Sequence, residues 1–219
     1  MKKYKLNWLN HVFNFLAVIL GVYLAFYMNE RSAENRDNEE RIQLMQSLVS
    51  DLTEDIQTYE DYQIPFNVQQ QKHVGQLLDM LVKDSLDGIG DALTLVFQVE
   101  NYTPTTSTYG SMKSSGNLKL INDLSLQKSL SDYYEGTVGE SVSKGEFQAD
   151  YFTNELLTWL TKNVDLVDMS LLKADDLIVL RNKLIIYESL IGQKVRSYEM
   201  IVQESKKLKE DIDLILVSP

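Results

Sequence analysis

Apolar positions are distributed along this chain in two ways. From Trp8 to Met28 they run almost without a break, WLNHVFNFLAVILGVYLAFYM, with no acid and no Lys or Arg. From Phe15 to Met28 every residue is apolar, aromatic or Gly. Beyond Met28 they recur every three or four residues instead, the spacing of amphipathic helices. At about 1.5 Å per residue the first stretch reaches roughly 30 Å as a helix, the thickness of a bilayer's hydrocarbon core. Tyr4 and Trp8 flank it on one side, and Tyr23, Phe26 and Tyr27 on the other, as interfacial belts do. The pattern predicts a transmembrane helix over residues 8–28. A buried core helix is the first alternative, because reaching Trp8 means accepting Asn10, His11 and Asn14. A cleaved signal peptide is the second, and it would need small residues at a cleavage site. The stretch from Tyr23 to Arg31 has no A-x-A-like pair.

The soluble part reads as helices throughout. Ile42, Met45, Val49, Leu52, Ile56 and Tyr59 form an a/d seam, with Asp51, Glu54 and Asp55 assigned to the solvated face between them. No Gly or Pro occurs from Val22 to Ile64, so one helix is expected to run from the span to Pro65, which stops it. A second helix is expected from about Phe66 to Lys83, closed by a turn at residues 84–88. Residues 91–99 lean toward helix, with Asp91 as N-cap. Thr105 or Thr106 caps a short helix through Met112, and Gly116 suits its left-handed stop. Asn122 or Asp123 caps a helix over residues 124–135, and another follows over residues 146–163, packed through Phe147, Tyr151, Leu157 and Leu160. After Asp175 and Asp176, a helix of about 40 residues keeps its apolar register from Leu177 to Ile215, interrupted by Lys194 and Ser205. The fold class is all-α: an N-terminal transmembrane helix continuing into an antiparallel long-helix bundle with several short helices. The domains are a basic tail (1–7), the span (8–28) and a soluble bundle (29–219).

Charge sharpens this picture. Residues 1–28 hold three of the 21 basic residues and none of the 32 acids, so residues 29–219 carry 18 against 32, a net of −14. An acidic domain repels nucleic acid and anionic lipid, so neither is expected at its outer surface. Lys2, Lys3, Lys5 and the α-amine crowd one flank of the span, while Arg31, Arg36 and Arg41 are dispersed on the other. That contrast places the amino terminus in the cytoplasm and the large domain in the periplasm of a bacterial inner membrane. The chain has no Cys, which removes any disulfide or thiolate–metal role and fits an oxidising compartment.

Two sets of residues suggest contacts. Ala17, Gly21 and Ala25 form a small-xxx-small row, the pattern that lets membrane helices approach one another, and the a/d seam extends backward toward it. Self-association through this seam competes with packing inside one chain. In the irregular middle, Tyr109, Lys113, Ser114, Ser115, Gly116 and Asn117, with Tyr133 and Tyr134, form a candidate partner surface, because loop-rich insertions carry function more often than cores do. The same rings can simply fill a core between short helices.

The middle also carries a resemblance. Thr108-Tyr109-Gly110-Ser111-Met112-Lys113-Ser114-Ser115-Gly116-Asn117-Leu118-Lys119-Leu120-Ile121, followed by Leu130-Ser131-Asp132-Tyr133-Tyr134, is similar to the signature of an uncharacterised group of bacterial single-span proteins, a domain of unknown function. The chain departs from it at Gly110-Ser111, where a carboxylate and Leu are commoner. The resemblance implies a membrane-anchored helical protein and transfers no activity.

Visible chemistry is sparse. The residues Gly110 to Ser114 echo a phosphate loop but lack the Gly before the Lys. His11 lies in the span and His73 stands alone in a helix, so no metal-ligand spacing and no nucleophile triad is legible. No cofactor and no enzymatic activity is expected. The leading expectation is a non-enzymatic envelope scaffold or interaction subunit, bound to the lipid bilayer and to a protein partner or further copies of itself. The alternative is a periplasmic small-ligand sensor, which the short 1–7 tail disfavours for want of an output domain.

Overall fold

The computed structural model describes residues 8–83, 85, 87–172 and 177–217. The expected basic tail, the acids Asp175 and Asp176, and parts of the 84–88 turn lie outside them. The chain divides into two compact units, residues 1–44 and 45–219. Helix α1 (Trp8–Thr58) accounts for the described part of the first unit and enters the second. In the first unit its large apolar side chains are exposed, among them Phe13, Phe15, Val18, Leu20, Tyr23, Phe26 and Met28. Among the described residues one helix is long and apolar enough to cross a membrane, and none of its apolar window is buried.

In the second unit α1 buries Met45, Leu48, Leu52 and Asp55, followed by Tyr59, in strict 3-4 alternation. The expected seam shares Met45, Leu52 and Tyr59 with this stripe. Leu48 and Asp55 stand inside where Val49 and Ile56 were expected, and the latter two are half-buried. The assignment of Asp55 to a solvated face is therefore corrected.

Pro65 does not stop the helix. A π-helical turn (Tyr59–Gln63) follows α1, with the Ile64 N–H bonded to the Tyr59 carbonyl, and α2 (Ile64–Val82) takes Pro65 in its first turn. Proline lacks an N–H and crowds the carbonyl four residues back. A widened turn before it takes that carbonyl out of the regular ladder. Helix α3 (Ile89–Thr94), extended by a 3-10 turn (Leu95–Phe97), is capped by Gly88 at φ 76°, with Asp91 inside its first turn.

After an extended segment comes α4 (Ser107–Ser115), ending at Gly116 with φ 76°, then a 3-10 turn (Asn117–Leu120). Asp123 caps α5 (Leu124–Ser131) by accepting from the Ser125 and Leu126 N–H groups. The expected break after residue 135 is absent. Helix α5, a π turn (Asp132–Thr137), α6 (Val138–Tyr151), a second π turn (Phe152–Leu157) and α7 (Thr158–Asn163) follow one another without leaving helical backbone. Each π turn resets the phase of the inward stripe. Val138, Ser141, Gly145, Gln148, Phe152 and Leu156 face the core, while Phe147, expected inside, is 62% exposed. A small hairpin, β1 (Val164–Asp165) with β2 (Ser170–Leu171), was not anticipated.

Helix α8 (Leu177–Val217) packs on both α2 and α6. Tyr198 meets Tyr59 and Lys206 pairs with Glu60, whereas Glu188 approaches Gly75, so α8 is antiparallel to α2. Tyr151 with Lys183, Gln148 with Tyr187, Ser141 with Ser197 and Thr137 with Glu204 show the same sense against α6. At Gly192 a Cβ would lie 2.8 Å from Gln71 Nε2, so the end of that α2 side chain rests against the bare glycine and would have to shift for a larger residue. Lys194 and Ser205, read as interruptions of the register, are both wholly buried within it.

Candidate functional site

Two constellations occupy the middle of the bundle. The first is the expected aromatic signature. Tyr109 stacks on Tyr134 at 4.5 Å, and Tyr134 meets Tyr133 edge-on. All three rings are buried, so they belong to the core and not to a surface. Burial pushes the Tyr133 and Tyr134 hydroxyls well above their ordinary range, and the Tyr133 hydroxyl lies 2.8 Å from Ser205 Oγ. Glu135 accepts from the Tyr109 hydroxyl, from Lys113 Nζ at 2.8 Å and from Ser131 Oγ at 3.3 Å. Those bonds, with Lys113 the largest, hold its carboxyl below the usual range. The exposed remainder of the signature is Lys113, Ser114, Ser115 and Gly116, with Asn117 half-buried. The serines cap their own helix: Ser115 Oγ donates to the Ser111 carbonyl at 2.8 Å and Ser114 Oγ to the same oxygen at 3.1 Å.

The second constellation was not anticipated. The irregular segment 98–106 crosses the bundle as a strap whose polar atoms are taken up by buried side chains. Asp55 of α1 receives the Tyr102 hydroxyl at 2.8 Å, the Thr105 N–H at 3.1 and 3.0 Å, and Thr105 Oγ1 at 3.3 Å. Lys194 of α8 donates to the Glu100 carbonyl at 2.8 Å and to Asn101 Oδ1 at 3.1 Å, with its Nζ 5.9 Å from the centroid of Tyr198. The Tyr198 hydroxyl accepts from the Tyr102 N–H at 3.3 Å. Asn101 Nδ2 donates to the Gly145 carbonyl at 3.1 Å, where any Cβ would meet the Asn101 amide. Gln70 of α2 donates to the Gln98 carbonyl and, at 3.2 Å, to the Tyr187 hydroxyl, which also accepts from Gln148 at 3.1 Å. Burial pushes Tyr187 up to about 12.

The two buried ionisable groups respond to burial as expected. Desolvation lowers Lys194 to about 7, opposed by the charge of Glu100. Desolvation raises Asp55, opposed by the bonds from Tyr102 and Thr105. Each is occupied in holding the strap, because an irregular segment laid over a core must find partners for its backbone N–H and C=O groups. The arrangement is a fastening. His73 lies 2.7 Å from Gln69, its neighbour on α2. In the first unit Ala17, Gly21 and Ala25 are exposed along one face of α1, and a Cβ at Gly21 would meet nothing within 4 Å.

The strap escaped sequence reasoning because its partners lie far along the chain. A charged residue interrupting an apolar register was the available signal at Lys194, whereas Asp55 fell on the solvated side of the seam as read.

A model of a family of unknown function (DUF6090) matches residues 14–186. The match takes in Asp55, the strap and α4, while Lys194 and Tyr198 lie beyond it. No curated protein and no solved structure matches the chain.

Proposed function

The chain belongs to this family of unknown function, and we propose that it is a single-span membrane protein whose helical bundle serves as a non-catalytic scaffold or interaction module of the bacterial envelope, acting as an oligomer. The observation that carries this reading is the exposure of the apolar helix. A core helix of the same composition would be covered by its own chain, whereas none of the apolar window of α1 is buried. Leaving twelve or so large apolar side chains in water costs roughly 1.5–3 kcal/mol each relative to burial, so a covering phase is required. The lysine-rich flank supports an orientation with the amino terminus in the cytoplasm and the bundle in the periplasm.

The interior supports a non-catalytic role. Its buried acid and base, Asp55 and Lys194, are each bonded to atoms of the strap. Capture of the full-length protein from membranes in mild detergent tests the reading. Recovery of a stoichiometric protein partner or of a homo-oligomer is expected. A monomer carrying only a co-purifying small molecule would overturn it in favour of ligand sensing. Protease added to intact spheroplasts is expected to digest the bundle, and full protection until lysis would reverse the orientation.

A further inference from the structure

The strap, residues 98–106, is held to the bundle by side chains and not by a backbone ladder. Among the described residues, none from 98 to 105 makes a backbone-to-backbone hydrogen bond. Gln98, Asn101, Thr103 and Thr106 are exposed, and within the strap Pro104 alone is buried. The groups beneath it are the reverse: Asp55, Gln148 and Lys194 have no exposed surface and Gln70 almost none. Apolar grip comes from Pro104, from Val99 against the neighbouring core, and from Tyr102 edge-on to Tyr59 at 5.1 Å. Rings pin the chain on either side of the segment. Phe97 meets Phe152 edge-on at 6.0 Å, and Tyr109 stacks on Tyr134.

We infer that the strap is a latch: residues 98–106 lift as one unit while α1, α2, α6 and α8 stay packed, opening a polar floor of Asp55, Gln70, Gln148 and Lys194 to solvent. The strap's polar atoms find water when it lifts, so each bond lost costs only its small net contribution. Asp55 and Lys194 regain the hydration that burial denies their charged forms. The helices beneath keep contacts in which the strap has no part. Tyr198 rests on Tyr59 at 4.8 Å, Ser141 meets Ser197 at 3.1 Å and Gln148 bonds Tyr187 at 3.1 Å. Few buried apolar contacts and a backbone outside any ladder mark the parts of a fold that open first. The closed latch bridges α1 and α8 through Asp55 and Lys194, and the open one releases both side chains together. The inference stands without the membrane anchor and without an oligomer.

A glutamate-specific protease tests it on the full-length protein in mild detergent. Among the described residues Glu100 is the one glutamate outside helical backbone. Cleavage after Glu100 is expected under native conditions, at a rate that low urea hardly changes while helicity is intact. A rate that rises only in step with the loss of helicity would overturn the inference, because the strap would then open only with the whole bundle. Asn101→Cys combined with Gly145→Cys supplies a lock in a chain that has no other Cys. A Cβ at Gly145 lies 3.2 Å from Asn101 Cγ, the place a cysteine sulfur takes, so the pair is within disulfide reach. Oxidation of that variant is expected to slow the cleavage at least tenfold, and reduction to restore it. Equal rates in the oxidised and reduced forms would overturn the inference, because the protease would then be cutting a closed strap. The urea measurement uses the wild-type chain, so it decides the matter even where the lock fails to form.

Discussion

The Tyr102 hydroxyl donates to Oδ1 of Asp55 at 2.8 Å, joining residues 47 positions apart to a carboxyl group with no exposed surface. The Thr105 N–H and hydroxyl bond the same carboxylate, and Asp55 stands in the buried stripe of α1 where the apolar seam has Ile56. The strap and the helix thus define each other. Without residues 102–105, Asp55 would be a buried charge without a partner, and without Asp55 the Thr105 N–H would lose its acceptor.

Asp55→Ala should destabilise the bundle by roughly 1–3 kcal/mol, the cost of leaving the buried Tyr102 and Thr105 donors without their acceptor. Asp55→Asn keeps an acceptor oxygen in place and should cost clearly less. Denaturant unfolding of the two variants checks the order. Equal losses would show that the cavity, and not the missing acceptor, sets the cost.

Lys194 makes stability depend on pH in a defined direction. Burial lowers it from 10.5 to about 7 in the folded protein. Between those values the unfolded chain binds the extra proton, so stability from this group is complete above 10.5 and is lost as pH falls toward 7. Stability should therefore rise from pH 7.5 to pH 9.5 by up to about 1.4 kcal/mol per unit. Lys194→Met should flatten that slope. Asp55, raised by burial, acts in the opposite sense and in the acid range: its contribution is complete below 3.8 and lost as pH rises. Melting curves across the alkaline window isolate Lys194, and a slope unchanged by Lys194→Met would refute the assignment.

Gly116 holds φ 76°, and a Cβ built there meets nothing within 4 Å. The cost of a side chain is then entirely in the backbone. Gly116→Val should lower stability by about 1–2 kcal/mol and Gly116→Asn by less, since Asn tolerates the left-handed region. Identical melting temperatures for the two variants would contradict a left-handed stop.

What could be read from the sequence was what is local. Gly116 as a helix stop, Asp123 as a cap and the long α8 follow from spacing within a few residues, and all three stand in the structure. The π turns were not legible, because five-residue hydrogen bonding leaves no compositional mark, and each one shifts the phase on which a packed-face reading depends. That is how Phe147 came to be expected inside. The strap was hidden for a different reason. Asp55 reads as one more solvated acid and Lys194 as a break in an apolar register, and only the distant residues 100–105 explain why each is buried. The tyrosines of the middle signature were legible as a cluster, and their burial decides that they serve as core.

The central claim is that α1 anchors the chain in a bilayer, and extraction of isolated membranes with alkaline carbonate tests it most directly. The account predicts that full-length protein stays in the membrane pellet, with its N-terminal residues intact. Release into the supernatant, or a mature chain beginning near Ser32, would contradict it.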